Sequence, residues 1–212
     1  MVETPRIPGP CPGLAQRPER DSAQDPDRVL ETIVSTVDAR GAPNFAPMGI
    51  TIDEDRVLLR PFRDARTWNN LREVGEGVVN ITDDALLFAL CALGDETPPY
   101  GPARKVRGVV LDDVCAWKEF VIQSSDLSGE RGRFEGRVVL AGRGREFLGL
   151  NRARHAVLEA TILATRVFLL GREHVLAEIE RLRPLVDKTG GQNERVAFEF
   201  VARRIRERKN AD

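Results

Sequence analysis

In the first two thirds of the chain, some segments alternate apolar and polar residues and others are short runs rich in β-branched residues. Runs of this kind, separated by turn residues, predict short β-strands. Short antiparallel strands with inserted helices favour a small barrel over a parallel sheet. The predicted strands are 29–37, 44–52, 57–60, 78–81, 109–111, 114–122 and 134–140, and the inserted helices are 65–73 and 83–93.

The last seventy residues show a helical period instead. Apolar stripes recur every three or four residues, which is the spacing of one buried helix face. The glycine pair 190–191 separates the last two of these segments. The predicted helices are 151–166, with a stripe through Ala153, Val157 and Ala160, then 174–186 and 195–205.

These patterns predict a mainly β protein with α elements, of the α+β class, divided into three parts. Residues 1–26 hold six of the thirteen prolines and few large apolar residues, so we expect a disordered or surface-strapped tail. Residues 27–149 are predicted to form the barrel domain. Residues 150–210 are predicted to form a C-terminal helical extension.

Composition and charge exclude several classes of function. The chain carries 32 basic and 33 acidic residues, so no electrostatic argument for nucleic acid follows. No apolar run approaches the roughly 18–20 residues of a membrane helix. The start of the chain lacks the pattern of a signal peptide. Cys11, Cys91 and Cys115 lie far apart. We therefore expect a cytoplasmic protein without disulfides and without a membrane or nucleic-acid partner.

Motifs for catalysis by protein side chains are missing from the sequence. His155 and His174 have no partner at metal-ligand spacing, so no metal site is expected. No nucleophile elbow, zinc-protease helix or phosphate-binding loop appears. The catalytic residues are thus unknown from sequence, and we expect a bound cofactor to carry any chemistry.

One stretch, R60-P-F-R-D-A-R-T-W-N-N-L71, combines arginines, hydroxyl and amide side chains at a strand end. Phosphate sites use charge-assisted donors where a strand turns into a helix N-terminus. Thr67, Arg63, Arg66 and Asn69 or Asn70 could supply such donors. An ordinary helix start with Asp64 as the N-cap would have the same sequence. Residue spacing alone therefore does not decide between a phosphate site and a capped helix.

The strand that precedes this turn is unusual because it contains Pro47 and Gly49. A proline and a glycine inside a strand indicate an edge, a bulge, or a place where a ligand approaches the backbone.

Four segments in order resemble a family of FMN-binding split-barrel proteins catalogued as domain of unknown function 447. They are N44-F-A-P-M-G-I50, P61-F-R-D-A-R-T-W-N-N-L71, V79-N-I-T-D-D84 and N151-R-A-R-H-A-V-L-E-A-T-I-L-A-T-R166. The resemblance spans residues 29–208. This family is similar to flavin reductases and flavoredoxins. The resemblance therefore implies a split β-barrel that holds FMN at the interface of a homodimer.

The resemblance also implies which residues hold the cofactor. The backbone around Met48, Gly49 and Ile50 would face the isoalloxazine ring. The ribityl and phosphate groups would lie along the turn, and Asn80 would add a polar contact. The residues of the turn that the resemblance assigns to them are Arg60, Pro61, Phe62, Arg66, Thr67 and Asn70.

Three further features bear on the implied site: the helix that starts at Asn151, the residue at position 65, and the two tryptophans. The resemblance implies that Asn151, Arg152 and His155, at the start of that helix, could reach the cofactor. Arg152 and His155 share one face with Glu159, and a surface or dimer-contact ion pair is the alternative. Related split barrels often carry a hydroxyl two residues before the threonine, where this chain has Ala65. Trp68 and Trp117 are expected in the core or in a dimer interface.

The function implied is that of a homodimeric FMN-dependent oxidoreductase acting on an unidentified small substrate. The alternative within the same fold is a non-catalytic flavin carrier or sensor whose helical part docks a partner protein. A deazaflavin or haem in place of FMN is a further alternative.

Overall fold

The computed structural model describes residues 28–53 and 55–207. The predicted N-terminal tail lies outside them. Fourteen elements follow in chain order. The strands are β1 (Val29–Val37), β2 (Pro43–Ile52), β3 (Arg56–Leu59), β4 (Glu76–Ile81), β5 (Tyr100–Pro102), β6 (Val109–Leu111), β7 (Ala116–Asp126) and β8 (Arg133–Arg143). The helices are α1 (Arg66–Glu73), α2 (Ala85–Leu93), α3 (Arg152–Thr165), α4 (Val167–Leu170), α5 (Arg172–Thr189) and α6 (Gln192–Glu207).

Six of the strands close into an antiparallel barrel in the order β1-β2-β3-β8-β7-β4. β1 pairs with β2 along its whole length and with β4 through three residues, which closes the ring. β5 and β6 form a separate two-stranded sheet. The predicted class, a split β-barrel followed by helices, is confirmed.

The split of the barrel lies along β2. β2 pairs with β1 from Pro43 to Thr51, but β3 reaches its other edge only at Thr51 and Ile52. Among the described residues, no strand pairs with that edge between Pro43 and Ile50. Pro47 and Gly49 therefore lie where the sequence predicts an open strand edge, and backbone groups of β2 face away from the sheet there.

The barrel interior is apolar, and α1 closes one end of it. Ile50, Leu59, Phe120 and Phe134 are at most 2% exposed and pack together. Trp68 of α1 packs against the same cluster, as Leu71 does. The close packing of Trp68 and Leu71 in the barrel core fixes the position of the α1 N-terminus relative to β2.

A second core joins the barrel segment to the helical extension. Val157, Ile179 and Phe198, from α3, α5 and α6, are at most 1% exposed. Ala89 of α2, which belongs to the barrel segment of the sequence, packs into this cluster. The helical extension is thus anchored to the barrel through α2. None of the helices that the structure describes is long and apolar enough to span a lipid bilayer.

Local sequence patterns misplace two features of the fold. The proline-rich stretch 94–103 has the composition of a loop, but Tyr100–Pro102 pairs with β6. Only three residues pair, so composition could not reveal the strand. Helix α5 starts two residues earlier and ends three residues later than its apolar stripe, because Gly171 with φ 82° and Gly190 bound its ends.

Candidate functional site

Helix α1 begins without a side-chain cap. Its N-cap residue is Ala65, which has an extended backbone and no side-chain hydrogen bond to the helix, and no acidic residue lies in the first turn. Asp64 has φ 65° and precedes the cap position. The interpretation of Asp64 as the N-cap is therefore wrong. The first amide groups of a helix lack intrahelical acceptors and attract anions. This N-terminus is accordingly suited to a phosphate.

Two polar side chains of α1, Thr67 and Asn70, are buried and bound to neighbouring strands. Thr67 is 2% exposed, and its Oγ1 accepts a hydrogen bond from Asn44 Nδ2 at 3.0 Å. Asn70 is 6% exposed and donates to Thr36 Oγ1 at 2.9 Å. These bonds tie α1 to the ends of β1 and β2. Asn44 was not selected from the sequence, although it opens the N-F-A-P-M-G-I motif.

The arginines of the turn are on the surface. Arg60 and Arg66 are exposed, so their charges can meet an anion at the α1 N-terminus. The guanidinium of Arg63 donates to the carbonyl oxygen of Leu127 at 2.8 Å, which holds the turn against the β7–β8 connection. Arg66 is therefore the arginine of the first helical turn that is placed to add positive charge.

Pro61 and Phe62 connect β3 to the turn. Pro61 is buried, and its carbonyl oxygen accepts a hydrogen bond from the Gly132 amide at 3.0 Å. Phe62 is 57% exposed, and the guanidinium of Arg131 lies 4.0 Å from its ring centroid. Phe62 thus lies on the surface beside the turn, with Arg131 stacked on one face of its ring.

The open edge of β2 lies beside the α1 N-terminus. Met48 and Ile50 turn their side chains into the barrel interior, where they pack with the apolar cluster. Gly49 is exposed and pairs with Glu31 of β1. A Cβ at Gly49 would lie 2.7 Å from Val29 Cγ1 and 3.1 Å from Glu31 Oε1, so the side chains of β1 pack over this glycine. A ligand can therefore reach the β2 backbone from the unpaired edge of the strand.

Asn80 does not join this site. It is fully buried, and its Nδ2 donates to Ile33 O and Ser35 Oγ, both at 3.0 Å. Its Oδ1 accepts from the Leu111 amide at 2.9 Å. These bonds link β4 to β1 and β6, so the structure gives Asn80 a role in strand packing. The sequence could not show this, because it does not place β6 next to β4.

Asn151 is occupied as a helix cap. Its Oδ1 accepts from the amides of Ala153 and Arg154, and its Nδ2 donates to the carbonyl oxygen of Thr189. Arg152 and His155 are exposed on α3. His155 lines a cavity of about 160 Å³ that Glu31 also lines, so α3 faces the β1 strand next to Gly49. The structure thus brings His155 near the β2 region but commits Asn151 to α3 and α5.

Glu31 is a titratable group of this cavity that the sequence did not single out. Burial raises the pKa of its carboxyl, as does the nearby charge of Glu159, while Arg166 opposes the shift. Two carboxyl groups on facing elements repel each other when both are ionised. The pairing of β1 with β2 brings Glu31 beside Gly49, and no local sequence signal marks it.

A cluster of ion pairs borders the same cavity. The carboxylate of Asp83 is 5% exposed and pairs with Arg145 and, at 2.8 Å, with Arg154. It also accepts from the Leu148 amide at 2.9 Å. Arg154 pairs in turn with Glu194 at 3.0 Å. The cluster joins the loop before α2 to the 145–148 segment, α3 and α6, and therefore fixes the barrel to the helical extension.

Stability should depend on pH through this cluster. Burial alone would raise the pKa of Asp83, but hydrogen bonds from Arg145, Leu148 and Cys115 outweigh it and lower the pKa from 3.8 to about 2. A carboxyl with a lowered pKa stabilises the fold above its unfolded pKa, and this contribution is lost as the pH falls towards the folded value. We expect the unfolding free energy to lose about 2 kcal/mol from this group between pH 5 and pH 2. Urea unfolding across that range should show the loss, and Asp83→Asn should remove this component.

Within the part of the chain that the structure describes, no group of histidine, cysteine or acidic side chains could hold a metal ion. Burial, with a contribution from Asp84, raises the pKa of the Cys91 thiol to about 12, so that thiol is not a nucleophile at neutral pH. What remains is a flat backbone edge beside an uncapped helix start. That arrangement can hold a planar ligand that carries an anionic group.

Comparison with known proteins agrees with this arrangement. A family model described as the N-terminal domain of a protein of unknown function (DUF447) matches residues 30–144, and a second DUF447 model matches residues 151–203. The crystal structure of an FMN-bound protein of Methanosarcina mazei, of the same family model, shares 28% identity and has a TM-score of 0.74. The match covers 88% of this chain and 100% of that one.

Other solved structures are similar at a lower level. The NADH:FAD oxidoreductase of Streptomyces globisporus shares 16% identity with a TM-score of 0.48, over 60% of this chain and 92% of that one. The styrene monooxygenase flavin reductase of Pseudomonas putida shares 16% identity with a TM-score of 0.47, over 56% and 83%. These two similarities are too low to carry an argument. The two family models together span both the barrel and the helical extension, and the chain belongs to the DUF447 family.

Proposed function

We propose that this protein binds FMN, with the phosphate at the N-terminus of α1 and the isoalloxazine ring along the open edge of β2. The observation that carries the proposal is the uncapped α1 N-terminus beside an unpaired strand edge. The Methanosarcina mazei protein of the same family is FMN-bound, which supports the choice of ligand.

The residues that hold the phosphate act through backbone and charge. The free amides at the start of α1, which include those of Arg66 and Thr67, point toward an anion, and Arg66 adds a guanidinium. The Thr67 hydroxyl and Asn44 form the polar wall between this anion and β2. Because Ala65 lacks a hydroxyl, we assign a larger share of the binding to the amides and to Arg66.

The residues that hold the ring act through shape. The unpaired edge of β2 leaves backbone groups accessible, and its amide and carbonyl groups can bond to the polar rim of a flavin. Phe62 supplies an exposed aromatic face at the ribityl end. When bound, FMN supplies hydride exchange at its N5 atom, and the protein supplies orientation and shielding from water.

We assign the protein to the homodimeric flavin-dependent oxidoreductases. The cavity lined by Glu31 of β1 and His155 of α3 measures about 160 Å³, which is smaller than the roughly 300–1,000 Å³ usual for cofactor sites. Phe147 and Leu150 line it and are 54% and 84% exposed. A second copy that covers them would enlarge the site and exclude water from it. The cytoplasmic location remains a prediction from sequence.

FMN titration of the flavin-free protein tests this proposal. We expect saturable quenching of FMN fluorescence and a shift of its absorbance bands at one FMN per chain. Anaerobic mixing of the loaded protein with NADH and NADPH then separates an oxidoreductase from a carrier, because an enzyme is reduced with saturation kinetics. A protein that causes no spectral change in FMN would refute the proposal.

A further inference from the structure

A second cavity lies away from β2, between the β5–β6 hairpin and the start of β7. It measures about 360 Å³, within the size range of ligand sites. Its walls include Trp117, Arg104 and the acidic pair Asp112 and Asp113. No residue assigned above to the flavin site lines it.

Trp117 forms one wall of this cavity with its indole ring. It is partly exposed, although Trp68, the other tryptophan, is buried in the barrel. Gly142 pairs with Trp117, and a Cβ there would lie 2.1 Å from its Cζ2 atom, so the ring packs closely on the glycine backbone. Its buried Nε1 has no hydrogen-bond partner among the described residues. Trp117 packs against the buried cluster that contains Leu111 and Val114, in line with the predicted core role, and it also lines the cavity.

Arg104 is held next to this ring by a buried carboxylate. Glu119 is fully buried and accepts hydrogen bonds from the backbone amides of Arg104 at 3.0 Å and Lys105 at 2.6 Å. Two bonds to one buried carboxylate fix the loop backbone. From this fixed backbone the Arg104 side chain extends into solvent, with its guanidinium 6.0 Å from the Trp117 ring centroid.

The remaining polar wall is the turn at Asp112 and Asp113. Both residues are exposed, and Asp113 adopts φ 57°. Arg145 holds this turn by donating from Nε to the Asp113 carbonyl oxygen at 2.8 Å, and its charge is paired with Asp83. Arg145 is therefore engaged, and Arg104 is the cation that the cavity offers to a ligand. The cavity combines an aromatic face, two carboxylates and one guanidinium.

We propose that this cavity binds the base, ribose and phosphate unit of a nucleotide. The indole of Trp117 stacks on the base, the carboxylates of Asp112 and Asp113 accept hydrogen bonds from the ribose hydroxyls, and Arg104 binds the phosphate. Each pairing is the ordinary chemistry of its group: stacking on aromatic rings, acidic side chains on ribose, and arginine on phosphate. A bare anion does not fit as well, because the two carboxylates would repel it.

This site is independent of the proposed FMN site, since the two have no residue in common. The ion pair between Asp83 and Arg145 stands between them: Asp83 lines the cavity that Glu31 lines, and Arg145 lines this one. The same base–ribose–phosphate unit occurs in free nucleotides and in pyridine dinucleotides. The test must therefore separate these two sources.

Tryptophan fluorescence tests the proposal directly, because the chain has only two tryptophans and Trp68 is buried. The FMN-loaded and flavin-free proteins are titrated with AMP, adenosine and NAD⁺. We expect saturable quenching by AMP in both forms, and about tenfold weaker binding of adenosine, which lacks the phosphate. Arg104→Gln should abolish the difference between AMP and adenosine and leave adenosine affinity unchanged. Trp117→Phe should remove the fluorescence change.

Arg107→Gln is the matched control, since Arg107 lies in the same loop but its guanidinium donates to the Ala39 carbonyl oxygen. It should bind AMP like the unaltered protein. Tighter binding of NAD⁺ than of AMP would assign the site to a dinucleotide, and equal binding would assign it to a mononucleotide. Three results would overturn the proposal: no saturable quenching, equal loss in the two arginine variants, or release of FMN by AMP. If the protein does not bind FMN, the titration of the flavin-free protein with nucleotides still tests this proposal.

Discussion

Replacing Ala65 with aspartate is expected to weaken FMN binding by about 100-fold while it makes the flavin-free protein more stable. Aspartate is among the best N-cap residues, and its carboxylate would bond to the amides at the start of α1 that Ala65 leaves uncapped. The same carboxylate would occupy and repel the phosphate position. An N-cap carboxylate contributes about 0.5–2 kcal/mol to stability, so the two effects have opposite signs.

Ala65→Ser is the matched control for that variant. A serine hydroxyl can cap the helix but carries no charge, and it restores the hydroxyl that related split barrels have at this position. We expect it to stabilise the flavin-free protein without weakening FMN. Affinities come from fluorescence titration, and stabilities come from urea unfolding without flavin. If Ala65→Asp binds FMN as well as Ala65→Ser does, the phosphate lies elsewhere.

Asp83→Ala is expected to lower the unfolding free energy by about 3 kcal/mol. The carboxylate is 5% exposed and is shared by Arg145 and Arg154, whose side chains are 29% and 21% exposed. Its removal leaves the partly buried Arg145 without its carboxylate partner and the Leu148 amide without its acceptor, whereas Arg154 keeps Glu194. An unpaired buried charge costs far more than the net value of the pair.

The control for Asp83 is Asp95→Ala. Asp95 also pairs with an arginine, Arg204, at 2.9 Å, but its side chain is 82% exposed. Exposed ion pairs contribute about 0–1 kcal/mol, so this variant should unfold almost like the unaltered protein. Urea unfolding followed by circular dichroism measures both variants at neutral pH. Equal losses would show that Asp83 does not act as a buried charge that joins the barrel to the helices.

The fold was largely predictable from sequence because each element carries its own period. The β-branched run 29–37 became β1 at those bounds, and the alanine stripe of α3 is buried as expected. Strand β5 was not predictable, since its three residues depend on pairing with β6. The composition of a loop and of a very short strand is the same, and only tertiary contact distinguishes them.

The candidate site was predictable only in part. The turn from Arg60 to Asn70 is recognisable in the sequence because arginine, hydroxyl and amide side chains cluster there at a strand end. Asn80 is also a polar residue within an apolar strand, but its Oδ1 accepts a hydrogen bond from the Leu111 amide of β6 and not from a ligand. Glu31 enters the site only through strand pairing. Sequence shows which groups are available, and the register of the strands decides which of them meet.

The measurement that tests the central claim most directly compares FMN with riboflavin, which has the same ring and ribityl chain but no phosphate. If the α1 N-terminus holds the phosphate, the protein should bind FMN about 100-fold or more tightly than riboflavin in the same fluorescence titration. That preference should fall in Ala65→Asp and persist in Ala65→Ser. Equal affinity for FMN and riboflavin would contradict the account.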